Sequence, residues 1–356
     1  MKIEVEELPA DKRGVCPKTE LGFGKFFSDH MFTQNFDPDA GWHDPKIGPF
    51  HNLTLHPAAS VLHYGQEVFE GLKAYRRPDG GINLFRPEQN ARRFNRSAKR
   101  MVMPEVDETL HIDAIKALIR TDQAWVPTEA GASFYIRPAM IATTPKLGLG
   151  ASASYLHFVI AGPVGPYFES GFDPVGVYVS DVCRRAVKGG VGEAKTGGNY
   201  SASLFVGEEV AKQGFSQVLW LDAIEGRYVE EVGAMNICFV CKDGSITTPV
   251  LSGSILAGIT RDSVLQLAPT LGHEVREERL DIQDVLARIS SGDITEVFGC
   301  GTAAVISPVG RFAYREKDYV INDNVAGPVS QKLYRELTAI QYGTAEDKFD
   351  WIQSVI

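Results

Sequence analysis

Between Gly162 and Gly171 the chain reads Gly-Pro-Val-Gly-Pro-Tyr-Phe-Glu-Ser-Gly, the best linker in the sequence. Glycine lacks the Cβ that restrains φ, and proline lacks a backbone donor, so regular structure breaks at this density. The stretch falls near the middle of 356 residues. At roughly 150 residues per domain, that length suits about two domains. The division expected is residues 1–163, a connecting loop over 164–174, and residues 175–356.

Strand and helix patterns alternate on both sides of the loop. Lys73–Arg76 and Ile82–Phe85 flank Pro78-Asp79-Gly80-Gly81, a hairpin signal. Ala91, Phe94, Ala98 and Met101 recur at helical spacing from Pro87 onward, and Ile112, Ile115, Leu118 and Ile119 mark a second helix ending near Pro127. Ser133–Ile141, Tyr155–Ile160, Val175–Ser180 and Gln217–Asp222 read as strands. Cys238–Cys241 and Ile246–Thr248 pair across Asp243-Gly244. Arg261–Leu271 reads as a helix stopped by Gly272, and Asp281 as the cap of a helix running to Ile289. Thr295–Phe298 is a strand entering Gly299-Cys300-Gly301-Thr302. The fold class is α/β with mixed elements.

Apolar residues make up 44% and charged residues 23%, close to globular averages of about 45–50% and about 25%, so a buried core is expected. A net charge of −9 repels polyanions, which argues against nucleic acid as a partner and requires a local site for any anionic ligand. The acidic start Met1-Lys2-Ile3-Glu4-Val5-Glu6-Glu7 is not a signal peptide, and no apolar run approaches the roughly 18 residues of a membrane span. A cytoplasmic protein without membrane association is expected. Cys16, Cys183, Cys238, Cys241 and Cys300 are odd in number and scattered, which does not make a disulfide framework. Cys238 and Cys241 lie in a strand pattern and read as small buried side chains; no second pair or nearby histidines complete a metal site.

Five segments can carry chemistry, and each also has a plain structural reading. In Glu193-Ala194-Lys195-Thr196-Gly197-Gly198-Asn199-Tyr200, a lysine before two glycines can approach a bound carbonyl and form a Schiff base once its amine is deprotonated; the alternative is a surface lysine in a loop. In Val229-Glu230-Glu231-Val232-Gly233, an acid entering an apolar strand can partner a protonated pyridine nitrogen, or simply end a strand. Leu256-Ala257-Gly258-Ile259-Thr260-Arg261 opens a helix whose first N–H groups can cradle a phosphate, with Thr260 as cap and donor. Phe298-Gly299-Cys300-Gly301-Thr302-Ala303 is either an anion-binding turn or an ordinary strand connection. Among Arg92, Arg93, Arg96, Lys99 and Arg100, most form a solvated face, and one inward arginine can grip a phosphate with two prongs. No single segment decides; their order does.

Taken together, these segments resemble the branched-chain amino acid aminotransferases, within the fold-type IV pyridoxal phosphate enzymes. The resemblance spans nearly the whole chain, from Phe23-Gly24-Lys25-Phe26-Phe27-Ser28-Asp29-His30-Met31 through Leu62-His63-Tyr64-Gly65-Gln66-Glu67-Val68-Phe69-Glu70-Gly71-Leu72-Lys73-Ala74, Phe85-Arg86-Pro87 and Tyr135-Ile136-Arg137-Pro138 to Gly301-Thr302-Ala303. It implies two α/β domains with the pyridoxal 5'-phosphate site between them, the C-terminal one carrying the lysine. Lys195 then matches the lysine that forms the Schiff base and shuttles the substrate proton. Tyr200 matches the tyrosine at the ring phenolate oxygen, and Glu231 the acid at the pyridine nitrogen. Arg93, Ile259 (through its backbone), Thr260 and Thr302 match the phosphate site. Thr302 and Ala303 match the turn that receives the substrate α-carboxylate. Tyr135 and Arg137 match the pair beside the substrate, with the arginine holding the distal carboxylate of glutamate. Phe27 and Tyr64 resemble apolar pocket walls, and Tyr167 sits in what looks like the interdomain loop.

The reaction implied is amino transfer from L-leucine, L-isoleucine or L-valine to 2-oxoglutarate, giving L-glutamate, by a homodimer serving branched-chain amino acid biosynthesis; no metal is implied. Mammalian members carry a cysteine pair just after the Gly-Thr-Ala turn, where this chain has Ala304 and Ser307. Oxidation at Cys300 stays open. Two rivals share the fold, a D-amino acid aminotransferase and an aminodeoxychorismate lyase. A third, of a different class, is a non-catalytic phosphate-ligand binder that makes no use of Lys195.

Overall fold

The computed structural model describes residues 1–165 and 172–356. Backbone contacts group the chain into two units. One comprises Met1–Tyr167, Ala194–Gly197 and Ala339–Ile356; the other comprises Phe168–Glu193 and Gly198–Thr338. The lysine segment and the C-terminus, read from sequence as parts of the second half, therefore group with the first unit. Two ties explain this. The Phe69 N–H donates to the Lys195 carbonyl at 3.0 Å, and the strand Ile352–Ser354 pairs with Ile82–Phe85.

The first unit is built on a nine-stranded sheet in the order Glu4–Val5, Gly41–Pro49, His30–Asp37, Tyr155–Val164, Ser133–Ala142, Leu72–Arg76, Ile82–Phe85, Ile352–Ser354, with Glu67–Phe69 also pairing to Ser133–Ala142. Its helices are α1 (Ser60–Tyr64), α2 (Pro87–Arg100) and α3 (Glu108–Thr121). Proline suits the first position of α2, where its fixed φ is already helical. Asp107 caps α3, its carboxylate accepting the Leu110 N–H at 2.7 Å. Alternation along Ser133–Ala142 sends Phe134, Ile136, Met140 and Ala142 to one face, all fully buried. There they pack with Ile115, Leu118 and Ile119 of α3 and with Phe94 and Ala98 of α2. Each such aromatic or branched side chain contributes about 1.5–3 kcal/mol on burial. The residues between them, Tyr135 and Arg137, point to the other face. Pairings of Lys73 with Tyr135 and of Phe69 with Ala139 put Lys73, Phe69 and Glu67 on that face as well.

The second unit has its own nine-stranded sheet, ordered Val229–Val232, Gln217–Leu221, Val175–Ser180, Val305–Tyr314, Ile294–Gly301, Asn236–Cys241, Ile246–Pro249, Val275–Glu278, with Lys317–Val320 pairing to Val305–Tyr314. Helices α4 (Gly197–Ala211), α5 (Ile259–Thr270), α6 (Ile282–Ser291) and α7 (Pro328–Gln341) follow in chain order. The core joins Val177, Leu219, Ile237, Phe239, Val297 and Phe312 to Val285, Leu286 and Ile289 of α6. Asp281 caps α6 through the Gln283 N–H at 2.7 Å, and Gly292 ends it at φ 78°.

Two expectations change. Gly162, Pro163 and Val164 continue the strand Tyr155–Val164 instead of leaving it. On one side that strand pairs only as far as Val159, so Pro163 faces no ladder there and its missing N–H costs nothing. A Cβ at Gly162 would stand 2.0 Å from the Phe26 carbonyl oxygen, so the glycine admits a close backbone crossing. Helix α5 starts at Ile259 with Gly258 as N-cap, so Thr260 lies inside the first turn and is not the cap. The hairpin His30–Asp37 to Gly41–Pro49 and helices α4 and α7 carried no sequence expectation. No described helix is long and apolar enough to cross a membrane.

Candidate active site

Lys195 directly precedes α4, and its main chain is held at both ends. Its N–H donates to Ser97 Oγ of α2 at 2.9 Å, and its carbonyl accepts from Phe69. The Nζ lies 4.8 Å from the centroid of the Phe69 ring. Part of the side chain keeps access to the surface, but the nitrogen sits deep among protein atoms. Desolvation, then the positive charge of Arg93, push the amine down to about 8, against smaller opposite effects of Glu70 and Tyr135. A lysine ordinarily titrates near 10.4. At neutral pH this one therefore presents far more of the neutral amine that attacks a carbonyl.

Of the five cations on α2, Arg93 alone is buried; Arg92, Arg96, Lys99 and Arg100 are exposed, as a solvated face requires. Arg93 is forked on Glu70, with Nε on Oε1 at 2.7 Å and Nη2 on Oε2 at 2.9 Å, and Asn90 Nδ2 adds a third donor at 2.7 Å. Burial alone would raise Glu70, but Arg93, together with Lys195 and Asn90, more than offsets it and holds the carboxyl below its ordinary range. Glu70 was not singled out from sequence. Its signal was present, as an acid inside an otherwise apolar strand context ahead of an arginine-rich helix.

Tyr135 and Arg137 share one sheet face and touch: Arg137 Nη2 donates to Tyr135 Oη at 3.2 Å, and the guanidinium stacks over Phe69 at 4.8 Å. The Arg137 Nε is buried without a hydrogen-bond partner, a donor left for an incoming anion. Phe23 packs edge-on to Tyr135 at 4.8 Å. Gly71 is required beside it, because a Cβ there would lie 2.1 Å from Tyr135 Oη. Phe27 stacks on Phe50 at 5.3 Å and Tyr64 donates to the Leu147 carbonyl; both rings stay exposed. Tyr167 lies outside the described residues.

In the second unit, Glu231 sits opposite Trp220 on its strand and is buried. The Arg185 guanidinium rests against its carboxylate, and Asn236 Nδ2 lies 3.4 Å from Oε1. Burial raises this acid to about 7, with Arg185 opposing. Arg185 was also missed by the sequence reading; nothing local distinguishes it from Arg184. Asn236 reaches further, donating to the Leu256 carbonyl at 2.9 Å. Its Oδ1 would stand 1.9 Å from a Cβ on Gly258, so only glycine fits at the entrance to α5. No side chain caps that helix, and Ile259 and buried Thr260 occupy its first turn. The positive end of the helix dipole is thereby presented to an anion.

Thr302 and Ala303 form the turn between Ile294–Gly301 and Val305–Tyr314, which pair up to Gly301 and Val305. Cys300 is buried, and its thiol is pushed up by Cys238 and by burial. Tyr200 lies in the first turn of α4. Among the described residues no group of three or more His, Cys, Asp or Glu is arranged to hold a metal.

The class IV amino-transferase family profile matches residues 67–312. A branched-chain-amino-acid transaminase of Bacillus subtilis is 51% identical over 338 residues, covering 95% of each chain. Among solved structures, the Escherichia coli branched-chain amino acid aminotransferase superposes with a TM-score of 0.74 at 29% identity, covering 92% of this chain and 99% of that one. That of Thermobaculum terrenum, in its PLP-form, gives 0.75 at 25% identity, covering 92% and 98%. This chain belongs to the class IV aminotransferases, among their branched-chain amino acid members.

Proposed function

We infer that this protein transfers the amino group of L-leucine, L-isoleucine or L-valine to 2-oxoglutarate, using pyridoxal 5'-phosphate held by Lys195. The observation that carries the reading is an amine brought to about 8 by burial and Arg93 while its main chain is tied on both sides. A surface lysine would show neither property. The residues present fit the cofactor. Lys195 offers an amine brought to about 8, Glu231 a buried acid near 7, Arg93 an oriented cation, and Gly258-Ile259-Thr260 a helix end whose glycine admits no Cβ. When bound, pyridoxal phosphate supplies the electron sink that stabilises the carbanion at the substrate Cα.

The chain's own residues do the rest. Lys195 would hold the cofactor at its carbonyl carbon and, when released, take the substrate Cα proton on Nζ and return it. Glu231 would face the ring nitrogen, its negative charge favouring the protonated ring. Tyr200 would donate to the phenolate oxygen. Arg93, Ile259, Thr260 and Thr302 would hold the phosphate. Thr302 and Ala303 would receive the α-carboxylate. Arg137 would use its unpartnered Nε on the distal carboxylate of glutamate, while Phe27, Tyr64 and Tyr135 line the apolar side-chain pocket; Tyr167 joins them in this proposal. Such a pocket separates chains differing by one methylene only about 10–200-fold, so one enzyme accepts all three donors. We further propose a homodimer in the cytoplasm; the free cysteines suit a reducing compartment.

Borohydride reduction of the holoenzyme followed by peptide mass mapping tests cofactor and lysine together, with a phosphopyridoxyl group expected on Lys195. A donor panel of L-leucine, D-alanine and aminodeoxychorismate separates the same-fold rivals, and L-leucine should be the active one. A colourless protein, or a label on another lysine, would overturn the reading.

A further inference from the structure

Glu67 is a half-buried acid on the short strand Glu67–Phe69, which pairs antiparallel with Ser133–Ala142 through Glu67–Ile141 and Phe69–Ala139. The two-residue period puts it on the face that carries Phe69, Tyr135 and Arg137. Its Oε1 accepts two hydrogen bonds from the residues that follow Lys195: one from the Gly197 N–H and one from the Thr196 hydroxyl at 3.2 Å. Gly197 is the first residue of α4, so the carboxylate also meets the positive end of a helix. Burial raises Glu67, and the two hydrogen bonds and Arg137 oppose that rise.

This contact accounts for the first of the two glycines. A Cβ at position 197 would stand 2.7 Å from Glu67 Oε1 and 3.5 Å from its Cδ, whereas a Cβ at Gly198 would meet nothing within 4 Å. The lysine's own peptide is already tied to Ser97 and Phe69. Those bonds fix where the residue sits. Glu67 adds two more bonds on the next two residues, so the segment is held on both sides of Lys195.

We propose that Glu67 is the positioning residue for Lys195: by accepting from Thr196 and Gly197 it locks the exit of the lysine segment, so that Nζ is presented over Phe69 in one orientation. This rests on the reading of Lys195 as the cofactor lysine. The essential property is an acceptor oxygen at this place. Glu67→Gln keeps such an oxygen and loses the charge; Glu67→Ala loses both.

Pyridoxal phosphate is added to apoenzyme, and the visible band of the lysine-bound cofactor is followed for attachment rate and for its pH titration, alongside kcat and KM with L-leucine. Glu67→Ala is expected to slow attachment and lower kcat roughly 10- to 100-fold, the worth of a hydrogen bond to a charged acceptor, and to move the midpoint of the band's titration. KM should change little. Glu67→Gln is expected to restore both rates to within about threefold of wild type. Gly197→Ala, which presses on the same contact, should repeat part of the loss, and Gly198→Ala should behave as wild type. If Glu67→Ala does not fold, the two glycine variants decide.

Wild-type behaviour of Glu67→Ala, a Glu67→Gln no better than Glu67→Ala, or equal effects at positions 197 and 198 would each overturn the proposal. Failure of the underlying reading looks different: wild-type enzyme itself would then leave Lys195 unmodified by borohydride.

Discussion

Lowering the pH from 7 to 5 should destabilise the first unit through two histidines. His111 of α3 and His157 of the strand Tyr155–Val164 stack with ring centroids 5.1 Å apart and planes 9° from parallel, and Phe94 packs against both at 5.1 and 5.4 Å. All four ring nitrogens are buried without a hydrogen-bond partner. Burial pushes His111 down to about 4, against a small pull from Glu70. Burial, with His111 as neighbour, drives His157 well below its ordinary value. The folded state thus keeps both rings neutral, while the unfolded chain protonates them near 6.5. Their contribution is complete above 6.5 and is lost as pH falls from there towards the folded values, because the unfolded state then binds more protons. At about 1.36 kcal/mol per unit, His111 alone costs about 2 kcal/mol between pH 7 and 5. His157 acts in the same direction, and the His111 share alone amounts to roughly 4–8 °C in Tm for a unit of this size. Scanning calorimetry of wild type and His111→Phe at the two pH values measures it. The variant keeps an aromatic ring against Phe94 and should lose about 2 kcal/mol of the pH dependence. Comparing the two isolates the histidines, since Glu231, raised to about 7, takes up its proton in the folded state first and acts in the opposite direction. Identical pH dependence in wild type and variant would refute the argument.

Three further outcomes follow from the site. Lys195→Ala should retain its melting temperature and bind pyridoxal phosphate reversibly, with kcat reduced by at least about 10²-fold as acid–base catalysis is lost; normal turnover is incompatible with its role. Glu231→Gln should slow Cα proton removal roughly 10²-fold, the usual effect of deleting one preorganised electrostatic partner, and enlarge the isotope effect with Cα-deuterated leucine; an unchanged isotope effect and rate would remove Glu231 from the ring nitrogen. Gly258→Ala forces a Cβ to within 1.9 Å of Asn236 Oδ1, so the entrance to α5 must shift and cofactor release, followed by equilibrium dialysis, should accelerate. Cofactor retention equal to wild type would show that the phosphate does not depend on that helix end.

What could be read from sequence had local causes. The hairpin Leu72–Arg76 to Ile82–Phe85 is announced by its Pro-Asp-Gly-Gly turn, and α6 by a capping aspartate and a terminal glycine in the left-handed region. Helix α4 was hidden for equally physical reasons. It opens on two glycines, buries only Asn199, Val206 and Val210, and leaves Leu204 and Phe205 largely exposed, so its apolar residues trace no stripe. The strand through Pro163 was hidden because the harmlessness of a proline depends on which neighbour is absent.

The site shows the same division more sharply. Lys195, Glu231 and Arg93 could be proposed from sequence because residue type and order constrain them, but their partners could not. Glu70 is one acid among many until the fold turns it onto Arg93, and Arg185 cannot be told from Arg184 until one of them rests on Glu231. Yet those partners set the chemistry. A lysine near 8 and a glutamate near 7 are products of burial and of neighbouring charge, quantities that no motif contains. A chain can therefore keep every residue of the Lys195 and Glu231 segments and lose the reaction through Glu70 or Arg185, because removing either takes the opposing charge away from a buried group of the site.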